Sequence, residues 1–147
     1  MKNYKLSDET KETPCGIVLH RIVATTTFTS ACGLTINVGD VGGWIEKESN
    51  LSGNAWVYGN ARVYGDAEVS GNARVVNQHD YIVFKNSWSS GRYFTWTKSN
   101  DMWAVGCFYG TGKELIEKSY DDSDDSGKHY EAYVKLVETL KDMEQAE

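Results

Sequence analysis

Two short stretches of the chain carry residue types that bind anions. The loop from Asn86 to Arg92 offers small polar side chains, a glycine, a tryptophan and an arginine. The segment from Thr111 to Lys113 offers a hydroxyl, an ammonium group and backbone N–H groups at a predicted helix start. A helix N-terminus and a guanidinium both suit phosphate oxygens. Five nearby aromatic side chains are available to stack on a base: Trp88, Tyr93, Trp96, Trp103 and Tyr109.

Phosphate-binding groups beside stacking rings indicate a nucleotide site. The two stretches flank a predicted pair of strands, and we therefore expect them to lie near each other. The alternative is a solvated hairpin loop whose neighbouring aromatic side chains belong to the core. The residues alone leave both interpretations open.

The histidines and cysteines of the chain do not lie where a hexapeptide transferase or a cysteine nucleophile would need them. A transferase built on hexapeptide repeats uses a histidine as general base, and all three histidines (His20, His79 and His129) lie outside the repeats described below. Cys107 could act as a nucleophile with a distant histidine, but its place in the apolar run 104–108 predicts a buried core thiol. We therefore expect no catalytic residue.

Metal and nucleoside-triphosphate motifs are incomplete as well. A calcium loop opened by Asp122 would need a glutamate at its twelfth position, where Tyr133 stands. The acidic run 121–127 is therefore predicted to be a solvated loop that ends in Ser126 as a helix N-cap. The segment 110–113 lacks the upstream glycine of a P-loop, and Glu114 replaces its Ser or Thr. We expect neither a metal nor a cofactor.

Composition narrows the class of protein. Fifteen basic and 21 acidic residues among 147 give a net charge of −6, which disfavours binding to nucleic-acid duplexes and anionic membranes. No apolar run approaches the roughly 18 residues of a membrane span, so a soluble, cytoplasmic protein is expected. The cysteines form no CxxC pair, which predicts reduced thiols at Cys15, Cys32 and Cys107.

A six-residue repeat occupies the middle of the chain. Four hexads run from Leu51 to Arg74, each with an aliphatic residue at position one, Gly-Asn or Gly-Asp at positions three and four, and alanine at position five. The aliphatic position recurs at 45, 51, 57, 63, 69 and 75. This period predicts a left-handed hexapeptide β-helix with three hexads per coil, inward aliphatic side chains and alanine at the corners. Residues 18 apart would then stack: Ile45 with Val63, Leu51 with Val69, and Val57 with Val75.

The predicted β-helix is too short to stand alone. Fewer than two coils leave an open ladder on both faces. Trp56, Tyr58 and Tyr64 are predicted to point outward, where either the chain's own flanks or a partner protomer would cover them. Both alternatives stay open.

The flanks predict the remaining elements. Residues 4–12 and 16–29 predict a hairpin with a break at 14–16, and residues 81–84, 93–97 and 102–108 predict three strands. The Thr111-x-x-Glu114 pattern predicts a helix start, and a second helix is expected over 129–143. The predicted fold is therefore mainly β with C-terminal helices, in a single domain 1–147. Its predicted parts are an N-terminal hairpin (1–38), a hexapeptide β-helix (39–76), a β-meander (79–110) and a helical cap (111–147).

Three blocks together resemble a known family. The stretch 39–45 (Gly-Asp-Val-Gly-Gly-Trp-Ile), the hexads, and Ser-Ser-Gly-Arg (89–92) followed by the block 102–112 are similar to phage-encoded small β-helix proteins. Within that group the chain resembles the anti-Thoeris sponges, which sequester cyclic ADP-ribose isomers made by bacterial TIR-domain enzymes. The resemblance implies a non-enzymatic immune-evasion protein in the host cytoplasm, a homodimer or higher oligomer, and a ligand held between protomers.

The resemblance also implies roles for individual residues. Arg92 and Lys113 would contact pyrophosphate or ribose oxygens, and Asn86 a polar edge of the base. The adenine would stack on Trp88, Tyr93 and Tyr109. Apart from the resemblance, the start of the predicted helix offers further anion contacts through Thr111 and the backbone N–H of Gly112. Two other functions remain as alternatives, a structural or assembly protein of a phage and a hexapeptide transferase.

Overall fold

The structure is a computed structural model that describes residues 2–29 and 33–145, so Cys32 lies outside the described residues. Two α-helices follow the strands, α1 (Gly112–Asp122) and α2 (Asp124–Gln145). The strands are β1 (Tyr4–Glu12), β2 (Val18–Ala24), β3 (Phe28–Thr29), β4 (Thr35–Ile36), β5 (Val41–Ile45), β6 (Trp56–Val57), β7 (Arg62–Val63), β8 (Arg74–Val75), β9 (Tyr81–Lys85), β10 (Tyr93–Thr97), β11 (Met102–Val105) and β12 (Phe108–Gly110).

The N-terminal sheet has the strand order β1-β2-β5-β7. β1 and β2 pair antiparallel, as the hairpin prediction requires, with the break at 14–16 forming the turn between them. Leu19, Ile22 and Ala24 of β2 are buried. β2 then pairs antiparallel with β5.

The hexads pair in parallel at the spacing predicted from the repeat. Ile45 lies opposite Val63, Val57 opposite Val75, and Leu51 forms a single bridge with Val69. Backbone hydrogen bonds of 2.7–3.2 Å join the paired segments, including Asn54 N–H to the Gly71 carbonyl at 2.7 Å and Glu46 N–H to the Val63 carbonyl at 3.2 Å. The three predicted stacking pairs are confirmed.

The predicted hexapeptide β-helix is nevertheless wrong as a fold class. The chain is mainly β with two C-terminal helices, but its strands form small separate sheets and none of these is a solenoid. The repeat is long enough for each aliphatic position to pair once with the position 18 residues away. Each hexad strand therefore has one parallel neighbour. β5 uses its other edge to pair with β2, which ends the parallel stacking. β6 and β8 form a two-stranded sheet of their own.

The hexad core consists of small side chains in register. The six aliphatic residues of the repeat are at most 1% exposed, and the four alanines are buried beside them. Gly42 and Gly43 make this packing close, since a Cβ at Gly43 would lie 2.6 Å from a Val57 methyl and 2.7 Å from the Ala61 carbonyl oxygen. Trp56 was predicted to face outward, but it is 2% exposed and packs edge-on against Phe28 of β3. Part of the predicted outward surface is therefore covered by the chain's own N-terminal flank.

The C-terminal sheet is an antiparallel meander of order β12-β11-β10-β9. A hairpin turn over 98–101 joins β10 to β11 and places Asp101 at φ 52°. The third predicted strand is divided, because Gly106 at φ 57° ends β11 and a turn separates it from β12. The sheet packs against both helices through a core of aromatic and aliphatic side chains.

The first helix begins as predicted, whereas the second begins five residues earlier than predicted, at Asp124 instead of position 129. Thr111 caps α1, and its hydroxyl accepts from Glu114 N–H while the Glu114 carboxylate accepts from Thr111 N–H, so the predicted capping box is confirmed. The predicted solvated loop over 121–127 is wrong, because α1 continues through Asp122 and α2 begins at Asp124, with Ser123 between them. Ser126 therefore lies inside α2. Neither helix, within the described part of the chain, has the length and apolarity of a membrane span.

Candidate functional site

A cavity of about 290 Å³ opens beside the loop from Asn86 to Arg92, and we call it the loop cavity. Four segments of the C-terminal region build it: this loop, the turn between β11 and β12, one face of α1 and the start of α2. It contains three of the predicted site residues, Asn86, Trp88 and Arg92. The residues that line it include Val105, Phe108, Leu115, Lys118, Ser119, Asp122, Ser126 and Tyr130.

Asn86 organises the loop that borders the cavity. Its side-chain oxygen accepts from Gly91 N–H at 2.7 Å, and its amide nitrogen donates to the Tyr130 hydroxyl at 3.2 Å. Its backbone N–H donates to the Arg92 carbonyl at 3.0 Å. Asn86 is 5% exposed. The amide predicted to bind a base edge is therefore engaged in holding the loop against α2.

Trp88 lies half-buried between the loop and α2. Its ring stacks on His129 with the centroids 4.1 Å apart and 17° between the planes, and it meets Tyr130 edge-on at 5.9 Å. Its indole N–H is buried and has no hydrogen-bond partner in the described structure. One face of the predicted base-stacking ring is already occupied by His129, while the N–H is a donor that lacks an acceptor.

Positive charge at the cavity comes from Arg92 and Lys118. The Arg92 side chain is exposed and lies against Gly106, where a Cβ would clash with the guanidinium. Among residues 2–29 and 33–145 the guanidinium makes neither a hydrogen bond nor an ion pair. Lys118 is paired with Asp122 at 3.4 Å on the surface of α1. Two cations and one carboxylate line the cavity, and Arg92 has its hydrogen-bond donors available to a ligand.

The other predicted aromatic residues lie on neighbouring surfaces. Tyr93 is exposed and lines a second hollow together with Arg92, Asp66 and Glu68. The Tyr109 hydroxyl accepts from the Asn100 amide at 2.9 Å and donates to the Ser70 carbonyl at 3.4 Å, which ties β12 to the hexads. Partial burial raises the Tyr109 pKa, and the hydrogen bond from Asn100 opposes that rise. Tyr109 therefore acts as a contact between two regions of the fold.

The predicted anion-binding helix start lies on a different cavity. Thr111, Gly112 and Lys113 line a hollow of about 220 Å³ together with Trp103, Asp101 and Glu138. The structure thus divides the predicted site, with Arg92 at the loop cavity and Lys113 at the helix start. Within the described residues, the two predicted anion-binding stretches therefore line different cavities.

Several lining residues escaped the sequence interpretation. Cys107 was predicted to be a buried core thiol, but it is exposed in the turn after Gly106 and lines the loop cavity. Lys118 and Ser119 belong to α1, and the start of this helix was predicted. They were missed because tertiary packing decides which face of α1 lies against the sheet. Leu115 and Ser119 are spaced four residues apart on the buried face of that helix, which is the one sequence signal that points to the serine.

Comparisons with known proteins leave the family open. No protein-family model, curated protein or solved structure matches the chain. Within the described residues, no group of three or more His, Cys, Asp or Glu side chains is arranged to hold a metal ion. The loop cavity and the residues that line it are therefore the features of this chain that bear on its function.

Proposed function

We propose that this chain is a phage immune-evasion protein that binds cyclic ADP-ribose isomers and sequesters them without cleaving them. The observation that carries the proposal is the Arg92 guanidinium, which has no partner among the described residues and lines a cavity with aromatic walls. The similarity to anti-Thoeris sponges in the hexads and in the block 102–112 supplies the ligand class.

The loop cavity offers groups that suit both ends of such a ligand. An arginine takes phosphate oxygens through two parallel hydrogen bonds, and Lys118 adds a second positive charge. Phe108 is a half-buried aromatic wall on the opposite turn, and the buried Trp88 N–H provides a donor for a base or ribose oxygen. These are ground-state contacts, which is what tight retention of an intact ligand requires.

A second protomer completes the site in this proposal. A volume of about 290 Å³ lies near the lower end of the range for small-molecule pockets, roughly 300–1,000 Å³. Arg92 is exposed at the cavity and also lines the neighbouring hollow that contains the exposed Tyr93, so a partner's surface laid over both would extend the walls. The resemblance to the sponges likewise implies a ligand between protomers.

Calorimetric titration with a cyclic ADP-ribose isomer tests the proposal. Replacing Arg92 by Ala should weaken binding by roughly 1.5–3 kcal/mol, the range for hydrogen bonds to a charged group, with little effect on folding. Lys135→Ala removes the same charge from an exposed position of α2 that does not line the cavity, and it should bind as the parent does. Equal affinity of Arg92→Ala and the parent would exclude the loop cavity. No binding by the parent would favour the structural-protein alternative.

A further inference from the structure

Positive side chains surround Trp44 on the N-terminal sheet. Arg21 on β2, Trp44 on β5 and Arg62 on β7 lie directly opposite one another in adjacent strands, so their side chains share one face of the sheet. The Lys11 ammonium lies 4.3 Å from the centre of the Trp44 ring, and the Arg21 guanidinium carbon lies 4.8 Å from it. We call these four residues the Trp44 cluster. None of them lines the loop cavity.

Arg21 is the fixed charge of the cluster. Its Nε donates to the Gly42 carbonyl at 3.0 Å, and one of its terminal nitrogens donates to the Gly59 carbonyl at 3.0 Å. The other terminal nitrogen lies 3.6 Å from a Glu9 carboxylate oxygen, whose side chain is mostly exposed. These contacts hold the guanidinium in place and leave its charge only partly balanced.

Lys11 is the movable charge. In the described part of the chain its ammonium has the Trp44 ring as its neighbour and makes no hydrogen bond or ion pair. Desolvation lowers the pKa of Lys11, and the charges of Arg62 and Arg21 lower it further. β1 is an edge strand, so the long side chain is able to swing away from the ring. The cluster therefore concentrates repelling positive charge in a chain whose net charge is −6.

Trp44 adds an unsatisfied donor to this group. The residue is 5% exposed, and its buried indole N–H has no hydrogen-bond partner among residues 2–29 and 33–145. A buried N–H without an acceptor is unfavourable, and so is the repulsion among three neighbouring cations. An oxyanion held by Lys11 and Arg21 would relieve the repulsion that Lys11 feels from Arg62 and Arg21.

We propose that the Trp44 cluster is a second binding site, for a multiply charged tetrahedral oxyanion such as a phosphate or pyrophosphate group. Lys11 moves onto the anion, Arg21 supplies a fixed positive charge, and Arg62 lies on the other side of Trp44. Guanidinium and ammonium groups make short, charge-assisted hydrogen bonds to such oxygens. The site is independent of the ligand proposed for the loop cavity.

Calorimetric titration with inorganic pyrophosphate at constant ionic strength tests this site. The protein carries Arg92→Ala throughout, so that the loop cavity contributes no arginine. Lys11→Gln should weaken binding about tenfold or more, as expected for loss of a charge-assisted hydrogen bond. Lys5→Gln removes the same charge from an exposed position of the same strand and should change affinity less than about twofold, the scale of a weak surface interaction.

Three results would overturn the proposal. These are absence of binding in the Arg92→Ala protein, unchanged affinity in Lys11→Gln, and equal losses in Lys11→Gln and Lys5→Gln. If the parent with Arg92 intact binds pyrophosphate, the first result assigns that ligand to the loop cavity and leaves the proposed function standing; if the parent does not bind it either, neither site takes pyrophosphate. Lys11→Arg keeps the charge and should retain binding, which guards against a Lys11→Gln protein that folds poorly; loss of binding in a folded Lys11→Arg would count against the site.

Discussion

The hexad region (residues 45–75) and the C-terminal region (81–145) bury their side chains in different ways. In the hexad region one repeated position fills the core with aliphatic side chains, and Val57, Val63, Val69 and Val75 are all 0% exposed. The core of the C-terminal region is built from rings that meet at varied angles, as Phe94 does with Tyr130 at 62° and with other aromatic neighbours. Small side chains in register pack closely, whereas large rings joined by long loops leave cavities between them.

Because of this difference, we assign the stability of the fold mainly to the hexad region and ligand binding to the C-terminal region. Close packing leaves little freedom around the hexads, because Gly42 and Gly43 of β5 lie against Val57 and Ala61 with no room for a methyl group. The loop cavity, by contrast, is lined by Trp88, Phe108 and Tyr130 from three different segments. We therefore expect substitutions in the hexads to act on folding and substitutions at the cavity to act on ligands.

The largest expected effect is that of Val63→Asp in the hexad core. The carboxylate would be buried opposite Ile45 without a partner, at a cost of at least several kcal/mol. Val63→Ile keeps an aliphatic side chain and should lose less than about 1.5 kcal/mol. Urea unfolding followed by circular dichroism measures both. An Asp variant as stable as the parent would break the proposed register.

Phe94→Ala is the corresponding change in the C-terminal core. Phe94 is 0% exposed and contacts the rings of Phe84, Trp103, Tyr130 and Tyr133. Its truncation should lower the free energy of unfolding by about 3–5 kcal/mol. Phe94→Leu retains much of the volume and should cost clearly less in the same urea experiment. A similar loss in the two variants would show that ring packing contributes little to this region.

A smaller effect is expected at the start of α1. Thr111→Ala removes the hydroxyl that accepts from Glu114 N–H at 3.2 Å, and loss of such a cap costs about 1 kcal/mol. Thr111→Ser keeps the hydroxyl and should remain close to the parent. Thermal unfolding of the three proteins gives the comparison, and equal destabilisation by Ala and Ser would point to the methyl group instead of the cap.

The smallest effect concerns the charge of Glu114. A hydrogen bond from the Thr111 backbone N–H, and then one with its side chain, hold the Glu114 pKa below its ordinary 4.5. A lowered pKa in the folded state stabilises the protein above pH 4.5, and this contribution disappears as the pH falls through the lowered value. Glu114→Gln should therefore be less stable than the parent near neutral pH, and the difference should shrink in strong acid. A difference that does not change with pH would contradict this.

The sequence contained the local part of the fold. The period of six predicted which residues pair in parallel, and the Thr111-x-x-Glu114 pattern predicted the start of α1, because both depend on neighbours close in the chain. The β-helix was wrong because β5 pairs with β2, a distant antiparallel contact that the hexad pattern does not contain. Cys107 was misplaced for a related reason, since Gly106 ends the strand one residue before it.

For the candidate site, as for the fold, the sequence predicted the residues that are close in the chain and missed those that tertiary packing brings together. Asn86, Trp88 and Arg92 share one cavity because they belong to one loop. Lys118 joins them only through the packing of α1 on the C-terminal sheet, and Lys113 lies on another cavity although it is five residues away in the chain. The division between these cavities could not be read from residue types alone.

Recovery of an intact ligand tests the central claim most directly. The purified protein is mixed with a cyclic ADP-ribose isomer, separated from free ligand and heat-denatured, and the released small molecules are identified by mass spectrometry. The account predicts that the unchanged isomer is recovered from the parent and that much less is recovered from Arg92→Ala. Release of linear ADP-ribose would contradict sequestration by showing an enzyme, and no retained ligand with any isomer would contradict the proposed binding function.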